Sequence, residues 1–535
     1  MFKKALLFTL LSSLIAISAP KVKVIDLSWS NPTVAFLEQH LAEMEKDTPL
    51  DGITIRFAGK TEEVNGVKYG PTSGNAWNKR PWKYELLRDE IQRYKALHFT
   101  QFTDNFYYLT TSAMDFDWCS DDDWKNVANN FGVAAKAARE MGLKGLLVDI
   151  EEYGKHFWNY GDDVHPKDIS YDDLCEVVFK RGQQWGEAIF SAYPDIILFM
   201  PYALSMRGAT LSFPFLNGII DVLPPTALIY DGFESDGYRA KSPLAYGKIQ
   251  NTLRKTIRQG ILEKNRRKAR AQVLLSPAFY LDAHWTAKPT SIYYQALLPE
   301  MEEQGKVRFF ARNFLGAMEE AEPYIWVYGE KRCWWKGSTH SKVLGTWDEA
   351  PDAQGLSQTI IALKNLQNII PAPDQNLAPD PHFSGEGNHW SLWQLEDDKK
   401  QPAPGTGVIG NGKAIARKVK RGCFHQTIPA KPGVFYVYRV KGGNTSTQGR
   451  ISAALCFQDA NHKWLSHSVN LHLKFPNTGK EETTYGYVLS PDNAAFVSIQ
   501  CGVSGQDDTG EITFTEVILS EFPPTESNQP PHNAP

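Results

Sequence analysis

The sequence predicts an α/β chain: a TIM (β/α)8 barrel followed by an all-β domain of the jelly-roll or β-sandwich kind. Three observations support this. Apolar strand-like runs alternate with helical patterns from about Lys21 to Ile370, the order expected of βα units around a parallel sheet. Eight candidate strands can be counted there, the number that closes a barrel. Near Ile370 the pattern gives way to Pro-Ala-Pro-Asp-Gln-Asn-Leu-Ala-Pro-Asp-Pro, a stiff linker, and only strand-like runs follow it.

The predicted barrel strands are Ile53–Phe57, Asn105–Leu109, Gly145–Ile150, Ile196–Tyr202, Ala227–Tyr230, Val273–Phe279, Val307–Ala311 and Tyr324–Tyr328. Their near-continuous apolar composition suits strands buried on both faces. Between them, Asn31-Pro32 supplies a cap and a first-turn proline, and Phe36, Leu37, Leu41 and Met44 recur at helical spacing. Ser120 with Asp123 resembles a capping box, and Gly142 ends that helix just before Gly145-Leu-Leu-Val-Asp-Ile-Glu-Glu. The basic segment Arg254 to Arg270 reads as a solvated helix face. After the linker, Val434–Val440, Ile451–Phe457, Ala495–Cys501 and Ile512–Leu519 read as sandwich strands. The expected boundaries are a signal peptide over 1–19, a barrel over 20–370, a sandwich over 371–522 and a disordered tail over 523–535.

The signal peptide is read from Lys3 and Lys4 ahead of an apolar run, Ala5 to Ile17, with Ser18-Ala19 as a small-residue cleavage site. That run is too short for an anchor, no later segment reaches transmembrane length, and an exported protein, periplasmic or extracellular, is expected. A net charge of -4 leaves no footprint for nucleic acid and argues against an anionic membrane surface. The six cysteines contain no CxxC pair, so buried free thiols are expected, with no metal site and no cofactor. P-loop, dinucleotide, GxSxG and HExxH patterns are absent.

The chemistry-bearing residues are acids at predicted strand ends. Asp149 and Glu151 lie two apart, so they project from the same face of one strand, and adjacent acids are out of place in a packed parallel strand. Strand ends converge over the mouth of a barrel, and paired carboxylates there suit hydrolysis of a glycosidic bond. Glu151 is expected to be the general acid, Asp149 to raise its pKa through like charge, and Glu330, after Tyr324-Ile-Trp-Val-Tyr-Gly, to be nucleophile or base. Glu152, Asp231, Glu234, Arg56, Asn105, Tyr202, Tyr280, His284, Arg312 and Asn313 are candidate substrate contacts, as are Trp334 and Trp335, whose rings would stack on sugar faces. Structural readings compete: hydrogen bonds to nearby loops for Asp149 and Glu151, an ordinary Asp-Gly turn at Asp231, and rim packing for the two tryptophans, with Glu330 paired to Lys331 or Arg332.

Gly-Leu-Leu-Val-Asp-Ile-Glu-Glu-Tyr and Tyr-Ile-Trp-Val-Tyr-Gly-Glu-Lys make the region from Lys21 to about Ile370 resemble secreted (β/α)8 glycoside hydrolases of polysaccharide-degrading bacteria. The Asp-x-Glu element is also similar to the DxxDxDxE motif of family-18 chitinases at Asp149 and Glu151, whereas Gly145 and Leu147 stand where its earlier acids belong. Residues from about Gln375 to Phe522 resemble a β-sandwich carbohydrate-binding module on the strength of Asn376–Phe383, Pro432–Gly442 and Gly510–Leu519, with Trp390, Trp393 and Trp464 as stacking candidates. The resemblance implies an exported glycoside hydrolase acting on a carbohydrate. The alternatives are a non-catalytic glycan-binding protein and, less well supported, a hydrolase of a non-sugar bond.

Overall fold

The computed structural model describes residues 21–522 except 47, 65, 112–113, 152–155, 162–164, 207–209, 287, 289, 338–339, 341, 351–352, 367–375, 396–404, 477 and 507–508. The expected signal peptide, most of the linker, Glu152 and the tail lie outside the described residues.

Nine strands form one curled, all-parallel sheet: β1 (Lys23–Ser28), β2 (Gly52–Ile55), β3 (Phe106–Leu109), β4 (Gly145–Val148), β5 (Ile197–Met200), β6 (Leu228–Asp231), β7 (Val273–Leu275), β8 (Ala278–Tyr280) and β9 (Tyr324–Gly329). Their order is β8-β9-β1-β2-β3-β4-β5-β6-β7. The two edge strands, β7 and β8, are consecutive in the chain and separated only by Ser276-Pro277. The sequence predicts Val273–Phe279 as one strand; proline has no N–H to continue a ladder, so the run breaks there. Its first half pairs with β6 and its second with β9.

Two other expectations are corrected. Lys23–Ser28 is a strand that the sequence pattern does not reveal, because Lys23 and Asp26 interrupt its apolar run. Val307–Ala311 belongs instead to the helix Lys306–Glu320. Phe310, Phe314 and Ala317 recur at helical spacing and are buried, and a five-residue apolar run by itself does not separate strand from helix.

The side chains of the sheet are buried on both faces. One cluster holds Ile25, Leu27, Phe106, Leu147, Phe199, Tyr230, Tyr324 and Trp326 inside the curl, and a larger core lies between the sheet and its helices. Gly145 is required by close approach: a Cβ there would fall 1.9 Å from the Ile197 carbonyl oxygen across β4 and β5. The preceding helix, Asp121–Met141, starts with Ser120 Oγ accepting from the Asp123 N–H and stops at Gly142, whose φ of 72° suits a residue without Cβ. These caps fix where β4 begins and therefore where Asp149 emerges.

Two five-stranded antiparallel sheets make a sandwich-like pair. One contains β10 (Ser391–Gln394), β13 (Arg421–Pro429), β15 (Arg450–Gln458), β16 (Leu471–Lys474) and β18 (Phe496–Ser504). The other contains β11 (Thr406–Gly410), β12 (Lys413–Arg417), β14 (Phe435–Asn444), β17 (Glu481–Leu489) and β19 (Glu511–Phe522). All four expected sandwich runs fall on these strands, and their inward residues share one core with Phe424, Tyr438, Phe457 and Phe514. Trp390 is buried against Phe383, whereas Trp393 and Trp464 are 46% and 55% exposed. The units touch through Arg312, which donates to the carbonyls of Leu489 and Ser490 at 3.2 and 3.1 Å.

All six cysteines are free thiols. Among the described residues no cluster of His, Cys, Asp or Glu is suited to a metal ion, and no helix is long and apolar enough to cross a membrane.

Candidate functional site

A cavity of about 460 Å³ opens at the C-terminal ends of the parallel strands. Asp149 and Glu151 enter it beyond β4, Glu234 beyond β6, Arg56 beyond β2 and Trp29 beyond β1; Tyr108, Thr110, Tyr328, His340 and Lys342 complete much of the wall.

Asp149 is held in place by its neighbours. Its backbone N–H continues the ladder to the Leu109 carbonyl at 2.8 Å. Its carboxylate accepts from the Glu151 N–H at 3.0 Å and from the Tyr108 hydroxyl at 3.3 Å. Burial, reinforced by the Glu151 charge, pushes it up to about 6, even though those hydrogen bonds favour the anion. Thr111 anchors the same turn by donating to the Glu151 carbonyl.

Glu234 owes its position to Asp231, for which the sequence suggests a substrate contact. Asp231 is instead fully buried, and its carboxylate collects the N–H groups of Leu204 and Ser205 (2.6 and 3.0 Å), the Ser205 hydroxyl (2.6 Å) and the Phe233 N–H (2.9 Å). It therefore acts as a strut that ties together the loops after β5 and β6. Phe233 sits at φ 44°, a left-handed conformation that costs a non-glycine residue about 1 kcal/mol, and the turn it makes directs Glu234 into the cavity. Burial, then the charge of Asp149, then that of Glu151 push Glu234 up to about 8, with a hydrogen bond from Tyr202 opposing them. Of the two acids in Tyr230-Asp-Gly-Phe-Glu, one is structural and the other lines the cavity.

Glu330 does not line this cavity. Its carboxylate accepts from the Tyr280 and Tyr328 hydroxyls at 3.2 and 3.3 Å and lies 3.8 Å from Lys331 Nζ. Its backbone N–H is held by Asp282 at 2.6 Å. Tyr280 thus serves Glu330, and Tyr328, with its hydroxyl on Glu330, is the side chain that reaches the cavity wall.

The structure sets several other candidates away from the cavity. Asn105 precedes β3, at the opposite end of the sheet from the carboxylates, where it accepts from the Ile53 N–H and donates to the Phe102 carbonyl. Arg312 and Asn313, expected just past the end of a strand Val307–Ala311, lie instead within the helix Lys306–Glu320; Asn313 donates to the Ala240 carbonyl. His284 is buried with Nδ1 3.0 Å from the Tyr280 carbonyl, and burial lowers it to about 4. Trp334 and Trp335 are buried, and the Trp334 indole donates to Asp26.

Sequence reasoning does not find Trp29, Tyr108, Tyr328, His340 and Lys342. Recognising β1 would have exposed Trp29 as a strand-end residue. Nothing in Gly-Ser-Thr-His-Ser-Lys marks His340 or Lys342.

No family model matches the chain, and no curated protein matches it. Among solved structures, a family 4 carbohydrate-binding module is 18% identical, with a TM-score of 0.21, covering 28% of this chain and 100% of that one. A family 22 carbohydrate-binding module of Clostridium thermocellum Xyn10B is 14% identical, with a TM-score of 0.21, covering 28% and 96%. The enzymatically active domain of bacteriophage CBA120 tailspike protein 4 is 18% identical, with a TM-score of 0.23, covering 28% of this chain and 22% of that one. Likenesses this slight carry no argument about this chain.

Proposed function

We propose that the chain is an exported glycoside hydrolase that cleaves a polysaccharide or oligosaccharide at the cavity over the parallel sheet. In this reading β7 and β8 are two halves of one strand, the sheet closes on itself as a (β/α)8 barrel over 20–370, residues 1–19 direct export, and residues 371–522 form a glycan-binding sandwich.

One observation carries the reading: three carboxylates from two strands converge in one cavity, and their burial and mutual repulsion keep Glu234 protonated near neutrality. Hydrolysis of a glycosidic bond needs an acid that protonates the departing oxygen and a second, ionised carboxylate across the bond. Glu234, oriented by Tyr202, is assigned the first role. Asp149, ionised above about 6 and held by Tyr108 and the Glu151 N–H, is assigned the second. Glu151 supplies negative charge that sustains the proton on Glu234, so the acid role expected of Glu151 passes to Glu234 and the base role expected of Glu330 to Asp149. Trp29 and Tyr328 add apolar wall to the cavity, against which a pyranose can pack.

The test is release of reducing ends from plant, algal and host glycans by wild type and by Glu234→Gln, Asp149→Asn and Glu330→Gln. The first two variants are expected to lose roughly 100-fold or more, while Glu330→Gln, set behind Tyr328, loses far less. No release by wild type on any glycan, with retained binding, would instead establish a non-catalytic glycan-binding protein.

A further inference from the structure

The cavity has a second chemical face, which the hydrolytic assignment does not use. Its carboxylates come from β4 and β6. Across the curl, beyond β9, β1 and β2, basic side chains gather near Trp29. Lys331 Nζ and Lys342 Nζ lie 4.9 and 4.7 Å from the Trp29 ring centroid, and the His340 ring lies 5.3 Å from it. A guanidinium nitrogen of Arg56 donates to the Trp29 carbonyl at 3.5 Å.

These groups sense one another. Burial and the charges of Arg56, Lys342 and Lys331 hold His340 below its ordinary value. Lys331 has a partner in Glu330 at 3.8 Å, but among the described residues no carboxylate forms an ion pair with Arg56 or Lys342. In a chain with net charge -4, two lysines over the Trp29 ring and an arginine on its carbonyl, with Arg56 and Lys342 lacking a carboxylate partner among the described residues, repel each other and favour a bound anion. An arginine fork with a lysine nearby is well suited to a planar or tetrahedral oxyanion carried on a sugar ring.

We propose that this face binds an anionic substituent of the saccharide, a uronate carboxylate or a sulfate ester, with Arg56 and Lys342 holding the anion and Trp29 fixing the place of Lys342 through its ring. The substrate is then an acidic glycan, seated with its anion toward β1 and β2 and its scissile bond toward β4 and β6. This specificity rests on the saccharide reading above but is separable from it.

The test is calorimetric titration of full-length Glu234→Gln, which holds ligand without turnover, with oligomers of equal length: polyuronate, sulfated galactan and neutral galactan. At least one acidic series is expected to bind tighter than the neutral one by about 10-fold or more, as for hydrogen bonds to charged groups, and the favoured series tells carboxylate from sulfate. Adding Arg56→Gln or Lys342→Gln should close that gap to about 2-fold, with neutral binding kept; Arg56→Lys should keep part of it. Lys342 is exposed, so its replacement tests the anion site without endangering the fold. Equal affinity for acidic and neutral oligomers, or a gap that survives both replacements, overturns this inference alone. Binding of no oligomer overturns it together with the saccharide reading.

Discussion

Replacing Glu234 by Gln should stabilise the protein at alkaline pH. The carboxyl is raised from 4.5 to about 8, first by burial and then by the charges of Asp149 and Glu151. A raised acid favours the folded state while protonated, and ionisation takes that advantage away: the contribution is intact below 4.5, shrinks as pH climbs, and is gone above about 8. At pH 7 the folded chain keeps a proton that the unfolded chain has released, a difference of roughly 2.5 pH units or ~3 kcal/mol, which partial solvent access through the cavity reduces to ~1–2 kcal/mol. Gln carries no such pH dependence and can still accept from Tyr202. Urea unfolding at pH 5 and pH 9, followed by fluorescence of the Trp77, Trp118, Trp124, Trp158 and Trp185 cluster, measures it. Glu234→Gln should match wild type to within about 0.5 kcal/mol at pH 5 and exceed it by ~1–2 kcal/mol or more at pH 9. A variant that is less stable at pH 9, or a difference that does not change with pH, would refute the electrostatic account of the site.

Other outcomes follow from the same geometry. The kcat/KM profile of wild type should be bell-shaped, rising as the site titrates near 6 and falling near 8, values that belong to the coupled carboxylates as a group. Asp231→Ala would leave three N–H groups and a hydroxyl without their acceptor and should cost about 3–5 kcal/mol in denaturant unfolding; a cost under about 1 kcal/mol would deny its role as a strut. Gly145→Ala forces a Cβ onto the Ile197 carbonyl and should destabilise by about 1–3 kcal/mol or more. Arg312→Ala removes the donor to Leu489 and Ser490 and should split the calorimetric transition of the two units or lower one of them; an unchanged single transition would show that this contact does not couple them.

Much of the fold was legible because local rules and tertiary packing agree. The Ser120 cap, the Gly142 stop and Gly145-Leu-Leu-Val specify helix, turn and strand in succession, and these local signals alone suffice to put Asp149 and Glu151 at a strand end. Where the strand pattern was faint, as in Lys23–Ser28 with its charged positions, or ambiguous, as in Val307–Ala311, the partners decide: one run pairs with β9 and β2, and the other buries a helical stripe. The site was legible as a set of acids but not as roles. Asp231 and Glu234 are both acids at or just past the end of a strand. Only the left-handed turn at Phe233, and the loop donors that converge on Asp231, make one a strut and the other a cavity-lining acid. Glu330 looked catalytic because it follows an aromatic strand, yet the phenols of that environment, Tyr280 and Tyr328, are what occupy it.

The central claim, that Glu234 delivers the proton to a departing glycosidic oxygen, is tested most directly by comparing two leaving groups in Glu234→Gln. On an oligosaccharide, whose alcohol departs only with protonation, turnover should fall roughly 100-fold or more; on a dinitrophenyl glycoside of the same sugar, which departs as a stable anion, it should stay within about 10-fold of wild type. Equal losses on both substrates would contradict the assignment.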